Sequence, residues 1–128
     1  MVYFIDDLYK EEILDHYWSP HNHGALLHPT ASASDENVVC GDRIQIDVLI
    51  SDWLISDIRF SGEGCAISQA ASSMLTDAVK GKTLQQAQEI TEQEILQMLG
   101  IPVSPARTKC ALLGWQVMRK ALIGLTGH

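Results

Sequence analysis

Residues 43–50 constrain the fold most. Ile44, Ile46, Val48 and Ile50 alternate with Arg43, Gln45 and Asp47. A period of two places the aliphatic side chains on one face of a strand and the polar ones on the other. Such a strand needs a sheet whose apolar face is covered by a second layer. Ser51-Asp52 is a turn candidate. Residues 53–60 read as the return strand, carrying Leu54, Ile58 and Phe60. A third strand is expected at about residues 36–39, next to Cys40. The sheet should be small and antiparallel.

The covering layer is legible on both sides of these strands. After Gly64 the chain turns helical. Residues 65–80 are rich in Ala, Ser and Met, and Gly81 is placed to cap their end. Thr83 with Gln86, and Thr91 with Glu94, fit the capping boxes of two short helices. Pro102 and Pro105 punctuate the next turn. Residues 106–124 form a last helix, with Leu113, Val117, Ala121 and Leu122 on one stripe. Ahead of the sheet, Ile5, Leu8, Tyr9, Ile13 and Tyr17 recur at helical spacing over residues 5–17. Asp6 and Asp7 sit near that helix's start, where its dipole favours anions. It should end near Ser19-Pro20, because the residue before a proline avoids the helical region. A polar loop through His21-Asn22-His23-Gly24 leads on to Ser34. The expected fold class is α+β, a three-stranded antiparallel sheet packed against helices. The 128 residues should form a single domain, residues 1–128, able to bury a core without disulfides.

A net charge of -7 argues against nucleic-acid binding, which needs basic patches to replace counterions. No apolar run approaches the ~20 residues that span a bilayer. No basic segment followed by an apolar run opens the chain, so no signal peptide and no membrane partner are expected. The predicted location is cytoplasmic. Thiols stay reduced there, so three cysteines read as metal-binding or catalytic rather than as disulfide partners.

Each cysteine has a local setting that suits a metal ligand. Gly41 allows a tight turn after Cys40, so Cys40 and Asp42 can face the same space. Asp42 reads either as a fourth, harder ligand or as a cap of the turn before the strand. Cys65 follows Gly62-Glu63-Gly64 at a predicted helix start, where free amides and the dipole favour a thiolate. The glycines there would let a large sulfur-bearing group approach. The alternative for Cys65 is a small buried apolar residue. Cys110 follows Arg107-Thr108-Lys109, and nearby cations favour its thiolate. Lys109 reads equally as a solvated side chain or as a partner for Asp42. Three thiolates and a carboxylate are enough to close a tetrahedral site. His16, His21, His23 and His28 fit no compact zinc spacing and read as loop and surface residues. Trp53 and Trp115 read as core or partner-surface residues. The cysteine gaps match no C-x-x-C signature, so the fold must assemble the ligands.

The motifs together resemble the iron–sulfur cluster assembly scaffold family, the IscU/SufU/NifU N-terminal domain group. The matching segments are Leu-Tyr-Lys-Glu-Glu-Ile-Leu-Asp-His-Tyr from Leu8, residues 20–24, and Cys40-Gly41-Asp42. They continue with Arg59-Phe60-Ser61-Gly62-Glu63-Gly64-Cys65-Ala66-Ile67-Ser68, Gly81-Lys82-Thr83-Leu84 and Lys109-Cys110-Ala111-Leu112. The resemblance implies a SufE/NifU-like fold in which Cys40, Asp42, Cys65 and Cys110 converge at one exposed end. It implies a largely non-enzymatic scaffold that accepts sulfur from a cysteine desulfurase and holds a labile [2Fe–2S] cluster for apo-protein acceptors. An iron donor belongs to the same expectation; three thiolates per chain would let a homodimer share the cluster, and Cys110, on the last helix, is the candidate first persulfide acceptor. The alternative it implies is a zinc-dependent sulfurtransferase, with Zn2+ on the same residues and no cluster. Lys109 stands where IscU-type proteins carry histidine, which is SufU-like. The usual SufU insertion before the last cysteine is missing. The stretch Gly100-Ile101-Pro102-Val103-Ser104-Pro105 replaces the IscU chaperone motif, so no dedicated Hsp70-type partner is implied.

Overall fold

Three antiparallel strands, β1 (Ala31–Asn37), β2 (Asp42–Ser51) and β3 (Leu54–Glu63), form a sheet in that order. They belong to a computed structural model that describes residues 11–123 and residue 125. Five helices accompany them among the described residues. These are α1 (Glu11–Trp18), α2 (Ala66–Val79), α3 (Leu84–Gln88), α4 (Glu92–Leu99) and α5 (Pro105–Leu122). The part of the first expected helix before residue 11 lies outside the described residues. Its end is where the proline rule puts it, with the Ser19 N–H donating to the Asp15 carbonyl at 2.9 Å. No described helix is long and apolar enough to cross a membrane.

The alternating face of β2 is the centre of the core. Ile44, Ile46 and Val48, with Ile58 and Phe60 on β3, meet Leu75 and Val79 of α2 and Leu112, Leu113, Val117 and Met118 of α5. Burying each such side chain contributes about 1.5–3 kcal/mol. Ile13 of α1 packs into a second cluster with Ile67, Ala70, Ala71 and Met74 of α2. The small residues of α2 let neighbouring helices approach closely. A Cβ on Gly114 of α5 would lie 2.4 Å from Ser72 Oγ, so α2 and α5 are in contact there. Thr83 and Thr91 both close the expected capping boxes, each accepting the N–H three residues on.

Four features differ from the sequence expectation, each for a local reason. β1 occupies residues 31–37 rather than 36–39. Its residues are small or polar, with weak strand propensity, and its inward side chains are only Ala31 and Ala33, over which α5 lies. Val38 and Val39 resemble strand residues but are 82% and 92% exposed, in the turn before Cys40. The hairpin turn sits at Asp52-Trp53, one residue later than expected. Both residues have positive φ, 53° and 64°, the combination that matches strand twist in a two-residue loop. Ile55 rather than Leu54 faces the core. The register slips between Leu49 and Ile50, leaving one extra residue in β3, so Ile55 and Ile58 share a face despite their odd spacing. Pro105, read as part of a turn, instead opens α5 behind the Ser104 cap. Trp115 is buried, its Nε1–H donating to the Ile90 carbonyl at 2.8 Å, whereas Trp53 is half-exposed.

The second face of the sheet is held by a buried carboxylate. Asp47 accepts the Leu26 N–H at 3.0 Å, the Ser32 hydroxyl at 2.7 Å and the Gln45 amide at 3.1 Å. Burial alone would raise this carboxyl, but those hydrogen bonds together outweigh it and hold it below the usual carboxylate range. A carboxyl depressed in the native state stabilises the fold above its unfolded value. That contribution is lost as pH falls through the lower, folded value. Asp47→Ala should therefore cost about 2–4 kcal/mol at neutral pH, because it removes the charged acceptor shared by three part-buried hydrogen bonds. It should also flatten the loss of stability below about pH 4. Urea melts at neutral and acidic pH check both outcomes.

Candidate metal centre

Three separate elements end at one corner of the molecule. The β1–β2 turn closes when the Gly41 N–H donates to the Asn37 carbonyl at 2.8 Å. Gly41 takes φ 73°, which a side chain would disfavour. Cys40 therefore stands exposed on the turn, and Asp42 begins β2 with its side chain 1% exposed. Cys65 is the N-cap residue of α2 and is exposed. Cys110, on the second turn of α5, is 3% exposed.

These positions bring donor atoms together. One donor atom from each of Cys40, Asp42 and Cys110 lies within 4.8 Å of the other two. The Cys110 thiol donates to Cys40 Sγ at 3.0 Å. Cys65 stands outside that mutual group of three and reaches it through Asp42. Its backbone N–H donates to Asp42 Oδ1 at 2.9 Å, and its Sγ lies 3.9 Å from Asp42 Oδ2. Asp42 thus caps α2 from another element while its second oxygen faces the thiols. The turn-cap role considered from sequence is displaced by this longer reach.

The donor set fits a soft or borderline cation. Thiolate sulfur with one carboxylate suits zinc or iron–sulfur chemistry rather than magnesium or calcium. Burial pushes the Cys110 thiol far above its ordinary range. Its contacts with Cys40 and Asp42, and the negative charges of Cys65 and Asp42, push it further. To use Cys110 as a ligand, a bound cation would displace the proton of this thiol. The expected stabilisation of its thiolate by Arg107 and Lys109 is overturned: burial and neighbouring negative charge dominate. Lys109 is exposed, and no ion pair joins it to Asp42 among the described residues.

Two contributors carry no signal in local spacing. Asn37 Nδ2–H donates to Cys40 Sγ at 3.5 Å, a contact created by the tight turn. Gly64 supplies space: a Cβ there would stand 2.3 Å from Asp42 Oδ1. A Cβ on Gly62 would stand 1.9 Å from the Arg43 carbonyl oxygen. The two glycines thus admit the Asp42 carboxylate and the β2 backbone. His21, His23 and His28 are exposed, in keeping with their expected loop and surface role, and His16 is half-buried on α1. His16 and His21 gather with Asp77 into a second group of donor atoms, while His23 and His28 join neither group.

A family model described as the NifU-like N terminal domain matches residues 8–127. The chain is 33% identical to the zinc-dependent sulfurtransferase SufU of Bacillus subtilis (strain 168), over 92% of this chain and 91% of that protein. It is also 33% identical to the iron–sulfur cluster assembly scaffold protein IscU of Escherichia coli (strain K12), over 89% of this chain and 91% of that protein. Among solved structures it resembles a putative iron–sulfur cluster assembly scaffold protein for the SUF system from Fervidobacterium islandicum AW-1. That match has a TM-score of 0.76 at 29% identity and covers 91% of this chain and 98% of the other.

Gly64→Ala should drive the Asp42 carboxylate from its place and weaken zinc binding by about tenfold or more, the scale on which lost support of a ligand acts. Chelator competition measures the affinity, and far-UV circular dichroism should be unchanged. Unaltered affinity in the folded variant would remove Asp42 from the donor set.

Proposed function

For a chain that belongs to the NifU-like N-terminal domain family, we propose a role as a scaffold for iron–sulfur cluster assembly, acting as a single domain. Cys40, Asp42, Cys65 and Cys110 are the residues that hold the cargo. The observation that carries this reading is the mutual approach of Cys40, Asp42 and Cys110, with Cys65 against the same carboxylate. The partners are a cysteine desulfurase as sulfur source, an iron donor, and apo-proteins that take the finished [2Fe–2S] cluster. Two exposed thiols beside a buried thiol and carboxylate leave one side of the site open. An open side is what a cargo that must leave requires. With only three thiols per chain, sharing the cluster between two copies would complete its ligation.

Sulfur delivery is a transfer between persulfide and thiolate. The acceptor thiolate attacks the terminal sulfur of the desulfurase persulfide. A new S–S bond forms on this chain, the donor's S–S bond breaks, and the donor leaves as a thiolate. The step needs a reachable, deprotonated sulfur. Cys110, the expected acceptor, is only 3% exposed, and burial raises its thiol above the ordinary range. Cys40 is exposed and accepts a hydrogen bond from Asn37 at 3.5 Å, which holds its sulfur in place on the turn. Cys40 is therefore the better first acceptor in this geometry.

A second reading has its own support. Lys109 in place of histidine, and 33% identity to a zinc-dependent sulfurtransferase, favour persulfide transfer without a cluster. Zinc held by the same four residues would supply the positive charge that keeps their sulfurs deprotonated.

Anaerobic reconstitution with iron, cysteine and a desulfurase separates the two. Stoichiometric [2Fe–2S] by Mössbauer spectroscopy, transferable to an apo-ferredoxin, supports the scaffold. Persulfide on the protein with zinc retained and no cluster supports the sulfurtransferase. In either case Cys40→Ser should lose persulfide uptake from the desulfurase, and Cys110→Ser should retain it, as read by mass spectrometry of the trapped protein. The reverse pattern would return the acceptor role to Cys110.

A further inference from the structure

The far half of α2 carries a second group of donors that the cysteine centre does not use. His16 lies near the end of α1, His21 follows Pro20, and Asp77 lies near the end of α2. One donor atom from each lies within 4.8 Å of the other two. The two imidazole centroids are 4.5 Å apart. Cys65 and Asp77 are separated along α2 by about 18 Å, at 1.5 Å rise per residue. The two groups therefore lie near opposite ends of one helix and cannot share an ion.

Each donor is oriented by a neighbour. His16 Nδ1 pairs with Ser73 Oγ at 2.6 Å, and that oxygen also accepts the His21 backbone N–H at 2.8 Å. His21 Nδ1 pairs with Asp77 Oδ2. Asp77 Oδ1 accepts the Asn22 amide at 3.0 Å, and the same amide donates to Thr76 Oγ1 at 3.1 Å. Ser73 and Asn22 thus hold His16 and Asp77 from outside the group, as outer partners fix ligands in working sites, while His21 and Asp77 pair with each other. Glu12 and Asp15 act electrostatically on His16 and add negative charge around the group. The nearby cation Lys80 is engaged with Asp57, at 3.4 Å, and with Asn22 Oδ1, at 3.5 Å.

We infer that His16, His21 and Asp77 form a second, thiol-free site for a borderline divalent first-row cation, zinc in the first instance. Two imidazoles and one carboxylate, with room for solvent or a further ligand, suit zinc or ferrous iron. They do not suit the sulfur-bound cargo of the cysteine corner. His21 and Asp77 are half-exposed, so an ion can enter without a change of fold. Total zinc content would then count two ions per chain of different chemistry. The inference does not depend on whether the cysteine corner builds a cluster.

Cobalt(II) is the probe for the test. The full chain carrying Cys40→Ser, Cys65→Ser and Cys110→Ser should bind one cobalt with ligand-field absorption and no thiolate charge-transfer band. Adding His21→Ala or Asp77→Asn should weaken that binding by at least about tenfold, since losing even a supporting partner costs roughly 10–100-fold. No cobalt bound by a folded triple variant, or unchanged affinity after His21→Ala, would make the group a latch between α1 and α2 only. Should the triple variant fail to fold, the unaltered chain is loaded with one equivalent of zinc and titrated with nickel(II). Selective broadening of the His16 and His21 ring protons supports the site. Broadening of His23 and His28 alone, or of no histidine, overturns it.

Discussion

One carboxylate joins the sheet, a helix start and the thiol corner. Asp42 is the first residue of β2, yet its Oδ1 accepts the backbone N–H of Cys65, ahead of α2. Buried at that junction, a carboxylate is costly unless its oxygens are engaged. Here it is engaged by a helix N-terminus, where the dipole favours negative charge. Gly64 leaves the space it occupies, and Cys40, Cys65 and Cys110 are arranged around it. The same atoms thus serve the fold and the site, so a change at Asp42 or Gly64 is felt by both.

The remainder of the structure keeps that corner rigid while leaving it open. The sheet is covered on one face by α2 and α5. On its other face Asp47 ties the Leu26 backbone and β1 to β2. The outer edge of β3 is paired by the loop after α1: the Gly24 N–H donates to the Phe60 carbonyl at 2.8 Å and the Phe60 N–H to the Asn22 carbonyl at 2.9 Å. That pairing protects an edge that would otherwise offer free backbone groups. It also presents His21 to Asp77. Within the corner, Asp42 and Cys110 are anchored in the interior while Cys40 and Cys65 face outward. Two fixed and two accessible donors suit chemistry in which sulfur or metal must arrive and depart.

Much of the fold was legible because it rests on local chemistry. Capping boxes at Thr83 and Thr91, the proline stop after α1 and the period of β2 each depend on a few neighbouring residues. The errors fall where local preference is weak or where the partner strand decides. Ala-Ser-Ala-Ser gives β1 little propensity of its own, and it is a strand because β2 and α5 accept it. The bulge that exchanges Leu54 for Ile55 is a property of the pairing between β2 and β3, not of either segment alone. The sequence neighbours of Cys110 are cationic, whereas the groups around it in space are Cys40, Asp42 and Cys65, which local sequence does not show.

The sequence by itself determined the order and type of most elements, the α+β class, and which side chains can bind a soft cation. Those follow from periodicity, caps and donor chemistry, all of which act over a few residues. Only the tertiary structure decided that Cys40, Asp42 and Cys110 meet, that Cys65 joins them through Asp42, and that His16, His21 and Asp77 gather elsewhere. The contacts between different elements reach across 23 residues, from Asp42 to Cys65, and 70 residues, from Cys40 to Cys110. Such separations are closed by core packing and strand register, and spacing along the sequence carries no record of them.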